Sequence, residues 1–212
     1  AAIKGFNNWS RIFKLTEEWK SQQPGRENAN WNTAFRSINP SKSSYQDAFI
    51  ILSRGPYSNT SAKKVGCERE EWLSKSLAIR LEHECAHYFC RRVYGSMHNN
   101  FRDELIADYA GLVAAVGHFR ADWFLKFMGL DADGRYDGEG RLDLYRGSLD
   151  DDCLRIIGKI MVAAAKNLEA ADQALPVRTA PGAKELLSLS DHWLEQVADD
   201  PSCLDFTEQP SD

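Results

Sequence analysis

A mainly α chain with a small β element, an α+β fold organised around a pair of long helices, is what three observations on the sequence predict. The stretch Glu68 to Tyr94 contains neither proline nor glycine. Residues Phe101 to Phe119 are apolar and rich in small side chains, Ala107, Ala110, Gly111, Ala114 and Ala115 among them. Only one short run, Asp47 to Leu52, has the apolar, β-branched character of a strand.

Taken in order, the first element is a helix over Asn7 to Gln22. Trp9, Ile12, Phe13, Thr16 and Trp19 recur there at helical spacing, and Gln23-Pro24-Gly25 ends the pattern. The strand from Asp47 stops at Arg54-Gly55-Pro56. The helix over Glu68 to Tyr94 opens with Glu68, Glu70 and Glu71 and closes with Arg91 and Arg92 before Gly95, the charge order that a helix dipole favours. A loop from Gly95 to Asn100 leads to the small-residue helix, whose side chains let another helix approach closely. Four glycines among aspartates make Asp131 to Gly147 a loop, and helices over Leu149 to Ala171 and Ala183 to Ala198 follow. No repeat or linker divides the chain, so residues 1–200 read as one domain and Pro201 to Asp212 as a flexible tail.

Composition limits what such a fold can do. With 43% hydrophobic and 11% aromatic residues in 212, the chain can bury a core and is not a disordered tail. Twenty-six basic against 31 acidic residues give a net charge of −5, which provides no global attraction for a phosphate backbone or an anionic lipid surface. The best apolar stretch, Ala107 to Val116, is broken by Asp108 and is far short of the roughly 20 residues that span a bilayer. Nucleic acid and membrane are therefore not expected partners. Five cysteines with no Cys-x-x-Cys pair point to a reducing, cytoplasmic compartment; the start at Ala1 leaves a secreted mature chain as the other reading.

The chemistry lies in His83-Glu84-Cys85-Ala86-His87, an H-E-x-x-H pattern inside the longest helix. One helical turn puts His83 and His87 on the same face, about 6 Å apart, where two imidazoles can meet one tetrahedral Zn²⁺. Glu84 is one step round the helix, placed to act on a metal-bound water as general base without ligating the metal. Chance alone yields this pattern in roughly one chain in a hundred of this length. Seventeen residues after His87, Glu104 and Asp108 stand at i and i+4 on the small-residue helix. By themselves they describe a solvated acidic face. Beside the upstream motif, Glu104 supplies the third protein ligand of a His₂Glu site with its fourth position open, and Asp108 accepts the free N–H of a ligating imidazole. The reading implies one zinc per chain.

H-E-x-x-H followed by a helix of the form E-x-x-A-D resembles the gluzincin zinc metallopeptidases, in particular the pattern of ImmA/IrrE-type peptidases. The resemblance covers about Trp72 to Val116. It implies a zincin-like pair of metal helices, with His83, His87 and Glu104 on zinc and Glu84 activating water, and a small sheet whose edge strand aligns extended substrate. The continuation Gly111 to Ala115 lacks the Leu-Met-Pro ending of ImmA/IrrE relatives, and no helix-turn-helix follows.

Position excludes other zinc classes. A metzincin would carry glycine at 90 and histidine at 93, where this chain has Cys90 and Val93. A peptide-deformylase reading would draw its cysteine ligand from Gly66-Cys67, too near the start of the same helix to fold back. His118, 14 residues after Glu104, is about 21 Å along the helix and cannot share the metal. His192 reads as a helix-surface residue. For the oxyanion of the tetrahedral intermediate, Tyr145 and Tyr136 in the glycine-rich loop are candidate donors, and His98 in the interhelical loop is a candidate substrate contact. The acidic run from Asp131 lacks the EF-hand glycine and glutamate, with Tyr136 and Leu142 in their places. Cys85 and Cys90 read as small buried fillers.

The expected function is zinc-dependent hydrolysis of a peptide bond. The alternative is a non-catalytic zinc module in which the same three ligands hold two helices together for a partner protein; an unligated Glu84 beside the metal is the feature that separates the two.

Overall fold

A computed structural model describes residues 2–22, 24–95 and 100–206. It is mainly helical with one two-stranded antiparallel sheet, and it divides into two compact units, residues 2–51 and residues from 52 onward. The division follows directly on a strand and not on a linker, which is why no boundary shows within residues 1–200 of the sequence.

The first unit runs β1 (Ala2–Asn7), α1 (Trp9–Ser21), α2 (Trp31–Ile38), α3 (Lys42–Tyr45) and β2 (Gln46–Ile51). The strands pair in antiparallel register from Ala2 opposite Ile51 to Asn7 opposite Gln46. Asn8 caps α1 by accepting from the Arg11 amide at 3.0 Å, and Asn30 caps α2 through the Thr33 amide at 2.9 Å. Strand β1 and helix α2 went unread in the sequence: Gly5 interrupts the alternation of one, and the other is only two turns long.

The second unit contains α4 (Ala62–Val65), α5 (Arg69–Tyr94), α6 (Asn100–Val116), α7 (Ala121–Met128), α8 (Leu142–Tyr145), α9 (Asp151–Gln173), α10 (Ala183–Asp191) and α11 (Leu194–Asp199). Helix α5 ends, as its charges predict, at Gly95 in the left-handed conformation, φ 75°. Its buried stripe is Trp72, Ser76, Ile79, Arg80, His83, Ala86 and Cys90, so the first histidine of the motif belongs to the inward face. Helix α6 is buried on nearly every side from Asp103 to Val113 and forms the centre of the unit. It packs on α5 so closely that a Cβ built on Gly111 would stand 2.7 Å from the carbonyl oxygen of Ile79. Phe124, Phe127 and Met128 of α7 and Met161, Ala164 and Leu168 of α9 complete the core. Helix α7 is absent from the sequence reading because its nearly continuous apolar run gives no helical period over eight residues.

Two expectations are corrected. The helix expected over Ala183 to Ala198 breaks at His192 and Trp193, which are extended. Arg102 donates to the carbonyls of Ser190 and His192 and so satisfies the end of α10. The expected tail starts too early, since Pro201–Cys203 form a 3₁₀ turn and Leu204 and Phe206 are buried in the core. Residues 207–212 lie outside the described residues. No described helix is long and apolar enough to cross a membrane, and none of the five cysteines is in a disulfide.

Candidate metal centre

His83 and His87 come from α5 and Glu104 from α6, and the three converge. The two Nε2 atoms are 3.0 Å apart, and the Glu104 carboxylate lies 3.6 Å from His83 Nε2 through one oxygen and 3.4 Å from His87 Nε2 through the other. Nitrogens about 2.0–2.1 Å from a tetrahedral zinc are about 3.3 Å from each other, so the donors already have the spacing of ligands around one ion. Among the described residues this is the group of histidine, cysteine and acidic side chains able to hold a metal. Two imidazoles and a carboxylate also suit zinc in donor type.

Hydrogen bonding decides which nitrogen of His83 is free. Its Nδ1 lies 2.8 Å from Asp108 Oδ1 and 2.8 Å from the Tyr57 hydroxyl. The Tyr57 proton is committed to Asp108 Oδ1 at 2.5 Å, while Tyr57 accepts from Arg141 Nη1 at 3.0 Å. A carboxylate only accepts, so the His83 proton sits on Nδ1 and Nε2 presents a bare lone pair toward His87 and Glu104. Asp108, on α6, thus accepts from the ring nitrogen of His83 that faces away from His87 and Glu104.

Tyr57 and Arg141 were not among the sequence candidates. Arg141 donates from Nη1 to Glu104 Oε2 at 3.0 Å and pairs through Nη2 with Asp108 Oδ2. Burial alone would raise the Asp108 pKa, but Arg141, His83 and Tyr57 together hold it below the usual carboxylate range. Glu104 is likewise held low against its burial, by His87, His83 and Arg141. Burial would discharge Arg141, yet the Asp108 and Glu104 charges and Tyr57 outweigh it and push its pKa up. Burial, reinforced by the neighbouring Asp108, pushes the Tyr57 phenol well up, so it remains a hydrogen-bond donor.

Helix α5 itself positions Tyr57. Arg80 donates to the carbonyls of Ser53, Gly55 and Pro56 at 2.8, 3.0 and 3.1 Å, Ser76 Oγ accepts from the Tyr57 amide at 3.0 Å, and Trp72 Nε1 donates to Thr60 O at 2.7 Å. Ser58 and Asn59, next along the chain, are both left-handed, with φ 49° and 55°. Non-glycine residues held there store strain, and the bonds from α5 impose it.

Glu84 is half-buried on α5 and its carboxylate makes no hydrogen bond or ion pair with a described residue. Tyr145 stands against Glu104, with its ring edge-on to Phe101; burial, with the Glu104 charge, pushes its pKa up. Tyr136 is not brought to the centre: its hydroxyl donates to Gly140 O and its backbone bridges to Leu130. His98 lies outside the described residues. His118 pairs with Asp172 at 3.1 Å and His192 with Ser188 O at 2.7 Å, both away from the ligand set. Burial pushes the thiols of Cys85 and Cys90 up, which suits packing and not nucleophilic attack.

The chain belongs to the Family of unknown function (DUF7005), which matches it over residues 1–201. No curated protein and no solved structure matches it.

Proposed function

We propose that this member of a family of unknown function is a zinc-dependent peptidase with Glu84 as its general base. One observation carries the reading. His83, with its proton held on Nδ1, converges with His87 and Glu104, and a carboxylate bonded to none of them stands one residue away. A structural zinc site has no use for that extra acid.

Zinc bound there supplies a Lewis acid for the peptide carbonyl and lowers the pKa of a water. Glu84 takes the proton of the attacking water and passes it to the leaving amine. Asp108 and Tyr57 keep the His83 ring in the ligating tautomer. Tyr145, protonated and beside Glu104, is the candidate donor to the oxyanion. The substrate is a peptide or protein, and the compartment a reducing one such as the cytoplasm.

The test compares wild type, wild type stripped by chelator and Glu84→Gln on a peptide library, with zinc measured in each. Cleavage by wild type alone, with zinc retained in Glu84→Gln, supports the peptidase. Equal cleavage by zinc-loaded Glu84→Gln refutes the mechanism, and zinc retention with no cleavage by any sample favours a non-catalytic zinc module.

A further inference from the structure

The loop between α7 and α8 is closed on itself. Gly129 and Gly140 lie so near each other that a side chain on either would strike the other's backbone segment, and Gly134 abuts Gly158 of α9 in the same way. The Asp137 amide donates to Gly129 O at 2.9 Å, Arg141 N to Phe127 O at 3.0 Å, and Asp131 Oδ1 accepts from the amides of Asp133 and Arg135. A loop tied at so many points has little freedom, and the residue at its end is Arg141.

Each arm of the Arg141 guanidinium reaches a different part of the metal centre. Nη1 holds Glu104, a ligand; Nη2 holds Asp108, which orients the ring of His83, a second ligand. Nη1 also donates to Tyr57, which shares Asp108 with that ring. One planar fork therefore fixes two of the three ligand residues before any ion arrives. With one oxygen of Glu104 taken by Arg141, the other is left facing His87 at 3.4 Å.

We propose that Arg141 is the positioning residue of the metal centre: by bridging Glu104 and Asp108 it presets the ligand geometry, and its shape as well as its charge is required. The proposal rests on the zinc reading above. A lysine keeps the charge but offers a point donor that cannot span two carboxylates in fixed geometry.

The experiment strips wild type, Arg141→Lys and Arg141→Met with chelator and titrates each with zinc against a chromophoric competitor. Each is also loaded with cobalt(II), whose visible absorption reports coordination geometry, and circular dichroism checks the fold. Arg141→Lys is expected to fold, to bind zinc roughly 10- to 100-fold more weakly, the usual cost of losing an outer partner of a ligand, and to show an altered cobalt spectrum. Wild-type affinity with an unchanged cobalt spectrum in Arg141→Lys overturns the proposal, as does weakening in Arg141→Met that lysine fully restores. If Arg141→Met does not fold, the lysine variant alone decides. Failure of wild type to bind zinc or cobalt would remove the metal reading itself, an outcome distinct from wild-type binding that Arg141 does not affect.

Discussion

His83 Nδ1 and Asp108 Oδ1 stand 2.8 Å apart with Asp108 fully buried, so a carboxylate of α6 sets the tautomer of a histidine of α5. The i, i+4 spacing within each helix supplies the residues, and the bond between the helices fixes which nitrogen of His83 carries the proton.

Metal content follows first. Wild type should carry about one zinc per chain by elemental analysis, and His83→Ala with His87→Ala should remove it. Full occupancy in the double variant would end the assignment.

Asp108→Asn keeps the shape but has one acceptor oxygen where the carboxylate has two, so it cannot accept from His83 and Tyr57 on one side and from Arg141 on the other, and it leaves Arg141 without one of its two carboxylates. Zinc affinity should fall roughly 10- to 100-fold in chelator competition. Unchanged affinity would reduce Asp108 to a packing residue.

For Glu84→Gln the expectation is a rate lower by about 10² to 10⁴ with zinc content unchanged, because glutamine can hold a water but cannot take its proton. A matching loss of zinc would instead make Glu84 a ligand.

The pH dependence of stability has a definite sign. Asp108 titrates lower in the folded chain than in the unfolded one, so its contribution is fully present above the ordinary carboxylate pKa, about 4, and is lost as pH falls through the lower folded value. Urea midpoints of metal-free wild type and Asp108→Asn should differ by a constant amount from pH 6 to 8 and converge below about pH 4. A gap that widens in acid contradicts the assignment.

Gly111→Ala should destabilise. Alanine improves a helix by about 0.5–1 kcal/mol over glycine, but its methyl would meet the Ile79 carbonyl, and overpacking of that kind costs about 1–3 kcal/mol. The urea midpoint should drop with its slope unchanged; a higher midpoint would show that the helices have room.

How much was legible depends on sequence distance. The juxtaposition of His83, His87, Glu104 and Asp108 could be read because helical spacing is a local rule, and α5 because its charges and terminal glycine mark both ends. Tyr57 and Arg141 come from segments 26 residues before His83 and 33 after Asp108. Two buried acids on one helix face demand a cation, which signals some arginine, yet nothing local selects Arg141 from the others. The break at His192 depends on Arg102, 90 residues away, and was equally out of reach.

The contact of Gly111 with Ile79 also bears on which ion the centre can accept. Gly111 is three residues past Asp108 and Ile79 four before His83, so the helices touch about one turn from the ligands. The bare Gly111 backbone meets the carbonyl oxygen, the Cα and the β-branched Cγ2 of Ile79 there, none of which is the far end of a flexible side chain. A larger cation such as Ca²⁺, with bonds of about 2.3–2.6 Å and a need for six to eight oxygens, would have to lever the helices apart about that fulcrum and through the hydrogen bond of His83 to Asp108. On the proposed zinc reading, selection by ionic size would be carried by the backbone spacing of α5 and α6 as much as by the ligand atoms.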